Sequence, residues 1–460
     1  MLDRIINNNY CIGCGACAVK KTGLDHSYKI IFTEEGYYLP IKDGQVAESV
    51  KFVCPFSDLS ADEDEIGSTL FGDISGISHD KYLGYYLENY VGHVNVDTFR
   101  RDGSSGGVVT WILSKLLALG EIDGVIHVSP NNDSSDTLFT YTISRTTEDL
   151  KNGAKSKYYP VQFSDVINTV LERDGKYAFV GVPCFVKAVR LLMLDNKVLS
   201  ERILYCIGLV CGHLKSDKFA KALSWEAGIH PNNLVCFDFR VKNSNRSASD
   251  YSIEAFGKIN NEVVKITKKN SELFSSNWGH GFFKLNACDY CDDVFAETAD
   301  ISIGDAWLDD YVLDPLGNSV VTVRNNKLRS IINEHLYELS FDRVDARIVV
   351  ESQSGGIRHR REGLAHRLHL KNIQNEYAPK KRVAGSPIAN EKRQRIYELR
   401  MSLMERSNIA FNMAVEQDDF LVFKREMMPL VEEYNKLYRV PLINRLLAKI
   451  KRIIKRMLRR

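Results

Sequence analysis

Near its N-terminus the chain reads Cys11-Ile12-Gly13-Cys14-Gly15-Ala16-Cys17, and a further thiol follows in the pair Cys54-Pro55. Thiols at intervals of three residues let one loop supply three corners of an iron–sulfur cubane, and the glycines permit positive φ angles that turn amides toward sulfur. The distant Cys54 would supply the fourth corner. The spacing therefore predicts one 4Fe-4S cluster, with these metal ligands: Cys11, Cys14, Cys17 and Cys54.

A zinc knuckle is the alternative for this segment, because zinc also binds four thiolates, although zinc sites usually present two separated Cys-x-x-Cys pairs. Lys21 stands where two-cluster ferredoxins carry a further cysteine, so a single cluster is expected here. Residues 28–41 predict a hairpin that turns at Glu34-Glu35-Gly36. We therefore predict a ferredoxin-type domain over residues 1–75.

From about residue 90 apolar runs alternate with helical periodicity, which is typical of an α/β domain. The pattern predicts helices over 108–119 and 186–194, and it predicts strands over these ranges: 124–128, 177–182, 203–210 and 300–303. Beyond about residue 330 the chain becomes helical and highly charged. The predicted organisation is a mixed α/β core at 76–330, a helical region at 331–440 and a tail at 441–460.

A second group of cysteines follows the apolar runs. Cys184 and Cys211 each come directly after one, and Cys288 and Cys291 form a Cys-x-x-Cys pair. Ligands gather at the carboxyl ends of strands in open α/β sheets, so these four can complete a second thiolate site. The spacing leaves an ordinary core role equally open, because cysteine is a common small core residue. Cys206 and Cys236 are predicted to be core thiols.

A segment rich in glycine and serine, Gly103-Ser104-Ser105-Gly106-Gly107, precedes the helix predicted over 108–119. Small residues let a backbone approach a pyrophosphate, and a helix N-terminus offers unpaired N–H groups. An ordinary capping turn, with Ser104 or Ser105 as the N-cap, is the alternative that the residues alone favour.

Short motifs in a shared order resemble the coenzyme F420 hydrogenase/dehydrogenase family of beta subunits and span about residues 80–310. They are Ser105-Gly106-Gly107, Ala154-Lys155-Ser156-Lys157-Tyr158, Gly181-Val182-Pro183-Cys184, Leu209-Val210-Cys211-Gly212, Cys288-Asp289-Tyr290-Cys291, and the stretch from Ala299 to Asp305. The resemblance implies a fold that binds FAD beside a 4Fe-4S cluster. Members of the family act on F420, formate-derived electrons, sulfite or chlorophyll intermediates.

When the family's motifs are matched to this sequence, the resemblance implies that a second 4Fe-4S cluster is held by Cys184, Cys211, Cys288 and Cys291. It also implies that FAD contacts the following residues: Ser104, Ser105, Gly106, Gly107, Thr110, Lys155, Ser156, Lys157 and Tyr158. The usual alternative for the two lysines is a solvated loop. No catalytic residue is assigned, because a flavin carries the chemistry itself.

Residues 353–361 resemble a bacterial subgroup found among polysaccharide-biosynthesis proteins, which leaves the use of F420 open. Within them, His359-Arg360-Arg361 predicts either an anion-binding segment or a solvated basic loop. His213 and His280 lie near the proposed cofactor segments and are predicted to be structural.

The net charge of +2 is unevenly distributed, because residues 441–460 contain eight Lys or Arg and no acid. The rest of the chain is mildly acidic, which argues against nucleic-acid binding.

With neither a long apolar run nor a signal-peptide pattern, the chain is expected to stay in the cytoplasm. The tail has the pattern of an amphipathic basic helix and predicts contact with the inner membrane surface; docking on an acidic partner or on the chain's own body is the alternative.

Together these features predict an iron–sulfur flavoprotein oxidoreductase that passes electrons between two 4Fe-4S clusters and FAD. Its expected partners are a ferredoxin-like or other one-electron donor protein and a small-molecule substrate. One alternative is an electron-transfer subunit that has no substrate of its own and docks a partner enzyme. Another is a zinc-stabilised membrane-docking protein without a redox role.

Overall fold

The computed structural model describes residues 2–20, 28–44, 46–132, 137–260 and 262–439. The helix and membrane contact predicted for 441–460 lie outside the described residues. The strands are β1 (Tyr28–Phe32), β2 (Tyr38–Lys42), β3 (Ser78–Asp80), β4 (Gly84–Tyr86), β5 (Glu88–Val94), β6 (Gly124–Pro130), β7 (Phe139–Ser144), β8 (Tyr177–Gly181), β9 (Ile203–Leu209), β10 (Leu234–Val241), β11 (Ser252–Ile259), β12 (Glu262–Lys269), β13 (Ile301–Asp305), β14 (Ser319–Val323) and β15 (Leu339–Arg343).

The α-helices are α1 (Leu2–Asn7), α2 (Val50–Val53), α3 (Glu63–Phe71), α4 (Phe99–Asp102), α5 (Val108–Ala118), α6 (Thr147–Asn152), α7 (Ser164–Glu172), α8 (Pro183–Asp195), α9 (Lys197–Arg202), α10 (Lys218–Ala227), α11 (Asn326–Glu334), α12 (Ala346–Ser352), α13 (Ser354–Arg360), α14 (Glu362–Ile373), α15 (Glu391–Glu416) and α16 (Phe420–Tyr438). Short 3₁₀ turns at Ala16–Ala18 and Asn286–Tyr290 carry cysteines.

An eight-stranded mixed sheet, in the order β15-β5-β14-β13-β9-β8-β6-β7, forms the centre of the fold. Its inner strands β6, β8, β9 and β13 pair in parallel, and antiparallel strands complete both sides. Every residue of β8 is buried, as expected for a strand whose two faces are both covered. The predicted α/β character is confirmed, and helix α8 begins three residues before its predicted start.

The N-terminal segment packs as a small unit on this sheet. Its predicted hairpin is confirmed, because β1 and β2 pair antiparallel with Ile30 opposite Pro40. The cysteine loop lies against the hairpin, and Gly13, at φ 67°, is so close that a Cβ there would meet the Tyr38 carbonyl oxygen at 2.5 Å. The loop therefore requires glycine at this position.

The C-terminal region is helical, as predicted. Helices α15 and α16 form a hairpin whose buried aromatic side chains, including Phe411 and Phe423, join a core shared with α10 and the sheet β10-β11-β12. None of the helices in the described part of the chain is long and apolar enough to cross a membrane.

Candidate metal centres and cofactor cavity

The first cysteine set comprises Cys11, Cys14, Cys17 and Cys54, and the fold brings all four together. Each of the first three thiols lies within electrostatic reach of Cys54. The backbone N–H of Gly13 points at the Cys11 sulfur, with N and Sγ 3.4 Å apart. Amides of Ala16, Phe56 and Ser57 bond the Cys14 and Cys54 sulfurs in the same way. Amides aimed at sulfur are the surroundings in which cluster thiolates are stabilised.

The electrostatics of this set disfavour four free thiolates. Burial raises the pKa of the Cys11 thiol to about 12, the Gly13 amide acts in the opposite direction, and Cys54 adds to the rise. For Cys17 burial again raises the pKa, and the other three cysteines of the set raise it further. A bound metal deprotonates such thiols outright, because its positive charge outweighs both effects. The donors therefore fit a cationic iron centre.

The second cysteine set comprises Cys184, Cys211, Cys288 and Cys291, and all four side chains line one small cavity. Cys184 begins the helix after β8, and Cys211 follows the adjacent parallel strand β9, so both lie at the same sheet edge. The 3₁₀ turn Asn286–Tyr290 brings the other two beneath them. The Leu214 amide donates to the Cys288 sulfur at 3.1 Å.

A zinc ion and a 4Fe-4S cluster require different arrangements of the four sulfurs. A single zinc ion holds each sulfur at about 2.3 Å from one point, whereas a cubane takes each sulfur on a separate corner iron. Among the described residues no group of three or more His, Cys, Asp or Glu is arranged to hold one metal ion.

A cavity of about 270 Å³ lies at the carboxyl ends of β8, β9 and β13. Its walls combine apolar and aromatic side chains with a polar rim, the usual composition of a small-molecule site. Eight of the nine residues predicted to contact FAD line it, namely Ser104, Ser105, Gly107, Thr110, Lys155, Ser156, Lys157 and Tyr158. This mixture of small, cationic and aromatic groups fits a planar ring that carries phosphates.

Gly106 is the ninth predicted residue, and it does not line the cavity. A Cβ on Gly106 would meet the Gly92 carbonyl oxygen at 2.6 Å, and one on Gly107 would meet the Phe99 carbonyl carbon at 2.5 Å. These two glycines are therefore required by the chain's own packing. The capping alternative is wrong, because Gly107 is the N-cap of α5 and no side chain caps the helix.

The segment after β7 closes one side of the cavity. Ser156 donates its backbone N–H to the Ser104 hydroxyl at 2.7 Å, which joins this segment to the glycine loop. Lys155 pairs with Asp238 at 2.5 Å. Lys157 points inward to three backbone carbonyls, including those of Gly153 and Lys155. Both ammonium groups are thus held by the protein, and the solvated-loop alternative is wrong.

Sequence reasoning missed several cavity residues. His213 was predicted to be structural, yet it lines the cavity, stacks on Trp278 with ring centroids 4.2 Å apart, and leaves Nε2 buried without a hydrogen bond. Burial and the nearby Lys215 hold the pKa of His213 well below its usual range, so the ring is neutral. Asp305 also lines the cavity, and Arg240, which is not part of the cavity lining, pairs with Asp305 and bonds the Tyr158 hydroxyl. These contacts join residues far apart in sequence, and the local pattern around each gave no signal.

Two further predictions are corrected by the structure. Cys236 is exposed, not a core thiol, because it lies on β10 at the edge of the three-stranded sheet; Cys206 is buried as predicted. The basic segment near Arg360 is not a solvated loop, since Arg360 ends helix α13 and is buried.

The two cysteine sets and the cavity are contiguous. Cys14 of the first set lies within electrostatic reach of Cys184 of the second. Ile12 and Phe56, which neighbour first-set cysteines, line the small cavity of the second set. Cys211 lines that cavity and the larger one as well. The two cysteine sets and the larger cavity therefore lie in sequence, with Cys211 between the second set and the cavity.

Two family models match this chain, and both describe the beta subunit of coenzyme F420 hydrogenase/dehydrogenase. The model of its N-terminal part matches residues 89–168. The model of its C-terminal part matches residues 174–345. Together they span more than half of the chain, and neither includes the first cysteine set or the region from residue 346 onward.

Individual proteins are similar over parts of the chain. The coenzyme F420-dependent sulfite reductase of Methanocaldococcus jannaschii is 28% identical over 50% of this chain and 34% of its own length. The F subunit of the F(420)H(2) dehydrogenase of Methanosarcina mazei is 22% identical over 69% of this chain and 82% of its own length. A chain of the F420-reducing NiFe hydrogenase complex from Methanosarcina barkeri shares the fold, with a TM-score of 0.50 and 16% identity over 66% of this chain and 99% of that chain.

Proposed function

The chain belongs to the coenzyme F420 hydrogenase/dehydrogenase family of beta subunits, and on that premise we propose that it is an electron-transfer subunit of an oxidoreductase. Electrons would pass between a one-electron carrier protein and a small molecule bound in the 270 Å³ cavity. The observation that carries the proposal is the position of Cys211, which lines both the second-set cavity and the larger cavity.

Each cofactor has a defined set of residues in this proposal. The first and second cysteine sets would each hold a 4Fe-4S cluster, and the loop 103–107 with the segment 155–158 would hold FAD. A bound flavin would supply the conversion between two-electron and one-electron transfer. The protein's own contribution is to keep water from the sulfurs by burial and to aim backbone amides at them.

The cavity residues would orient the ring system of the bound molecule. Trp278 and Tyr158 offer flat apolar faces, and His213 presents a neutral ring nitrogen without a protein partner. Among the cavity residues, Lys155 is fixed by Asp238, and Tyr158 and Asp305 are fixed by Arg240. Fixed groups of this kind position a ligand at a small entropic cost.

The relatives support a subunit in preference to an independent enzyme. Two of the similar proteins bear the names of a dehydrogenase subunit and a hydrogenase complex. The match to the sulfite reductase covers a third of that longer protein, which indicates a module joined there to further parts. A subunit should reduce or oxidise substrate only with its partner present, whereas an independent enzyme should do so alone.

Anaerobic purification of the full chain, with counts of iron, acid-labile sulfide, zinc and flavin, tests the proposal. About eight irons and one flavin per chain are expected, since two cubanes hold four irons each. The matched variant Cys236→Ser should keep these counts, because Cys236 is exposed and outside both sets. Two zinc ions without flavin would contradict the proposal.

Several finer predictions rest on sequence and family alone. FAD as the flavin, F420 as a substrate, a role in polysaccharide biosynthesis and membrane contact through residues 441–460 all stay predictions. Mixing the purified protein with reduced F420 and following its absorbance would test the second of these.

A further inference from the structure

Arg360 places a buried cation at the second cysteine set. It is the last residue of helix α13, lies outside the ranges matched by the family models, and is 4% exposed. Its side chain lines the same small cavity as the four cysteines. The C-terminal region thus adds a charged residue to a site whose cysteines belong to the α/β core.

Backbone carbonyls hold the guanidinium in place. Its Nη2 atom donates to the carbonyl oxygen of Gly212 at 2.5 Å and to that of Cys211 at 3.4 Å. Both acceptors belong to the turn that carries a cysteine of the set. The guanidinium therefore moves with the cysteines and keeps a fixed position beside them.

The charge of Arg360 lacks a carboxylate partner among the described residues. Nearby buried arginines have one, since Arg367 faces Asp289 and Arg382 contacts Glu297. Burying an unpaired cation is costly, so buried charges are generally paired. Asp293 also lines this cavity, but its two carboxylate oxygens accept hydrogen bonds from the Phe295 and Glu297 amides and form no ion pair with Arg360. The four thiols that share the cavity can supply the missing negative charge.

The neighbouring charges agree with this assignment. Of the charged side chains within electrostatic reach of Cys288 and Cys291, Arg360 acts most strongly on both. Lys284 and Lys381 act as weaker cations on Cys288 and Cys291, and Asp292 and Asp293 oppose them.

We propose that Arg360 sets the reduction potential of the second cluster, an inference that rests on the proposed function. One electron from a one-electron donor adds a single negative charge to the site, and no bond is formed or broken. A fixed cation beside the four sulfurs stabilises that added charge, so it favours the reduced state. Arg360 is therefore a positioning and tuning residue that directs electrons to the second cluster.

The test is a redox titration with dithionite, followed by electron paramagnetic resonance, on the full chain. Arg360→Gln should lower the midpoint potential of the second cluster by about 59 mV or more, a tenfold change in the one-electron reduction constant. Arg360→Lys keeps the charge and should stay close to wild type. Arg358→Gln, on the same helix but not lining the cavity, is the matched control and should leave both midpoints unchanged. Variants Cys14→Ser and Cys288→Ser assign each signal to its cluster.

Each outcome decides the inference. An unchanged midpoint in Arg360→Gln with full iron would overturn it. If Arg360→Gln loses four irons, Arg360→Lys decides: retained iron and a wild-type midpoint support the charge role, and loss of iron in both variants would overturn it in favour of a purely structural clamp. Wild-type protein without iron would overturn the proposed function as well, so the two failures are distinguishable.

Discussion

The two cysteine sets differ in how the chain assembles them. The first set is confined to the first 54 positions, where one glycine loop supplies three thiols and Cys54 supplies the fourth. The second set draws on the ends of β8 and β9 and on a turn about 80 residues later, and a helix from the C-terminal region completes its surroundings. The first set therefore depends on backbone conformation, whereas the second set depends on tertiary packing and on charge.

Removing one thiol from each set should have the largest effect on the cofactor content of the protein. Cys14→Ser and Cys288→Ser should each reduce the iron count from about eight to about four, because a cubane needs a ligand at each corner. Cys14→Ser should keep normal flavin content, whereas Cys288→Ser should also disturb flavin binding, since Cys211 of the second set lines the larger cavity. Iron and flavin analysis of the purified variants measures both effects. Equal flavin content in the two variants would contradict the predicted asymmetry.

A buried charge cluster joins helix α3 of the N-terminal segment to the residues beside the second set, and breaking it should be the next largest effect. Arg382 contacts Glu63 of α3, Asp292 beside Cys291, and Glu297. Arg382→Gln leaves these carboxylates without their shared cation, so the free energy of unfolding should fall by about 3–5 kcal/mol. Urea unfolding measures the change.

The control for this prediction is Arg395→Gln. Arg395 pairs with Glu433, and both side chains are nearly half exposed. Water screens such a pair, so its loss should cost less than about 1 kcal/mol. Similar losses in the two variants would show that the buried cluster around Arg382 stabilises the fold no more than an exposed ion pair does.

The backbone requirement of the first set is tested by Gly13→Ala. An alanine there must adopt φ 67° and place its Cβ 2.5 Å from the Tyr38 carbonyl oxygen. We expect a loss of about 2 kcal/mol or more in the free energy of unfolding, because a left-handed conformation and a steric overlap add together. Gly76→Ala is the matched control, since Gly76 has φ 78° and open space around its Cα. The control should lose only about 1 kcal/mol.

A smaller effect concerns the pH dependence of the free energy of unfolding, and it arises in the cavity that borders the second set. Burial lowers the pKa of His127, on the cavity wall, to about 4. Its contribution to stability is present above the ordinary value of about 6.5 and is lost as the pH falls from 6.5 towards 4, because the unfolded chain binds the proton first. Between pH 7.5 and 5.5 the loss from this residue should be about 1 kcal/mol.

The variant His127→Gln isolates that contribution. Urea midpoints of wild type and variant, each measured at the two pH values, give the difference that belongs to His127. The wild type should lose more stability on acidification than the variant. Identical pH dependence in the two proteins would mean that His127 binds a proton equally well in the folded chain.

Local spacing predicted the parts of the molecule that local forces determine. The hairpin, helix α5 and the strands of the parallel sheet follow from periodicity, and the loop around Gly13 follows from its glycines. The grouping of Cys184 with Cys288 depended on family resemblance, because nothing nearby in sequence specifies a contact across 100 residues. Cys236 was misread for the same reason, since strand propensity does not reveal which strand lies at a sheet edge.

The surroundings of Arg360 and His213 were the hardest feature to predict, because residues far away in sequence form them. Arg360 follows a Gly-Gly pair in a basic run, a pattern that suggests a solvated segment. Only the packing of α13 against the cysteine turn buries it. His213 was likewise visible as a residue, but its free ring nitrogen depends on Trp278 and on the cavity shape.

The late position of Arg360 has a consequence for biosynthesis. The four cysteines of the first set leave the ribosome long before helix α13 has been made. On the proposed function, the first site can therefore receive iron while the rest of the chain is still being translated. The second site acquires its cation only after helix α13 has been made. On the proposed function, cluster delivery should follow the order of translation, from the N-terminal loop to the core.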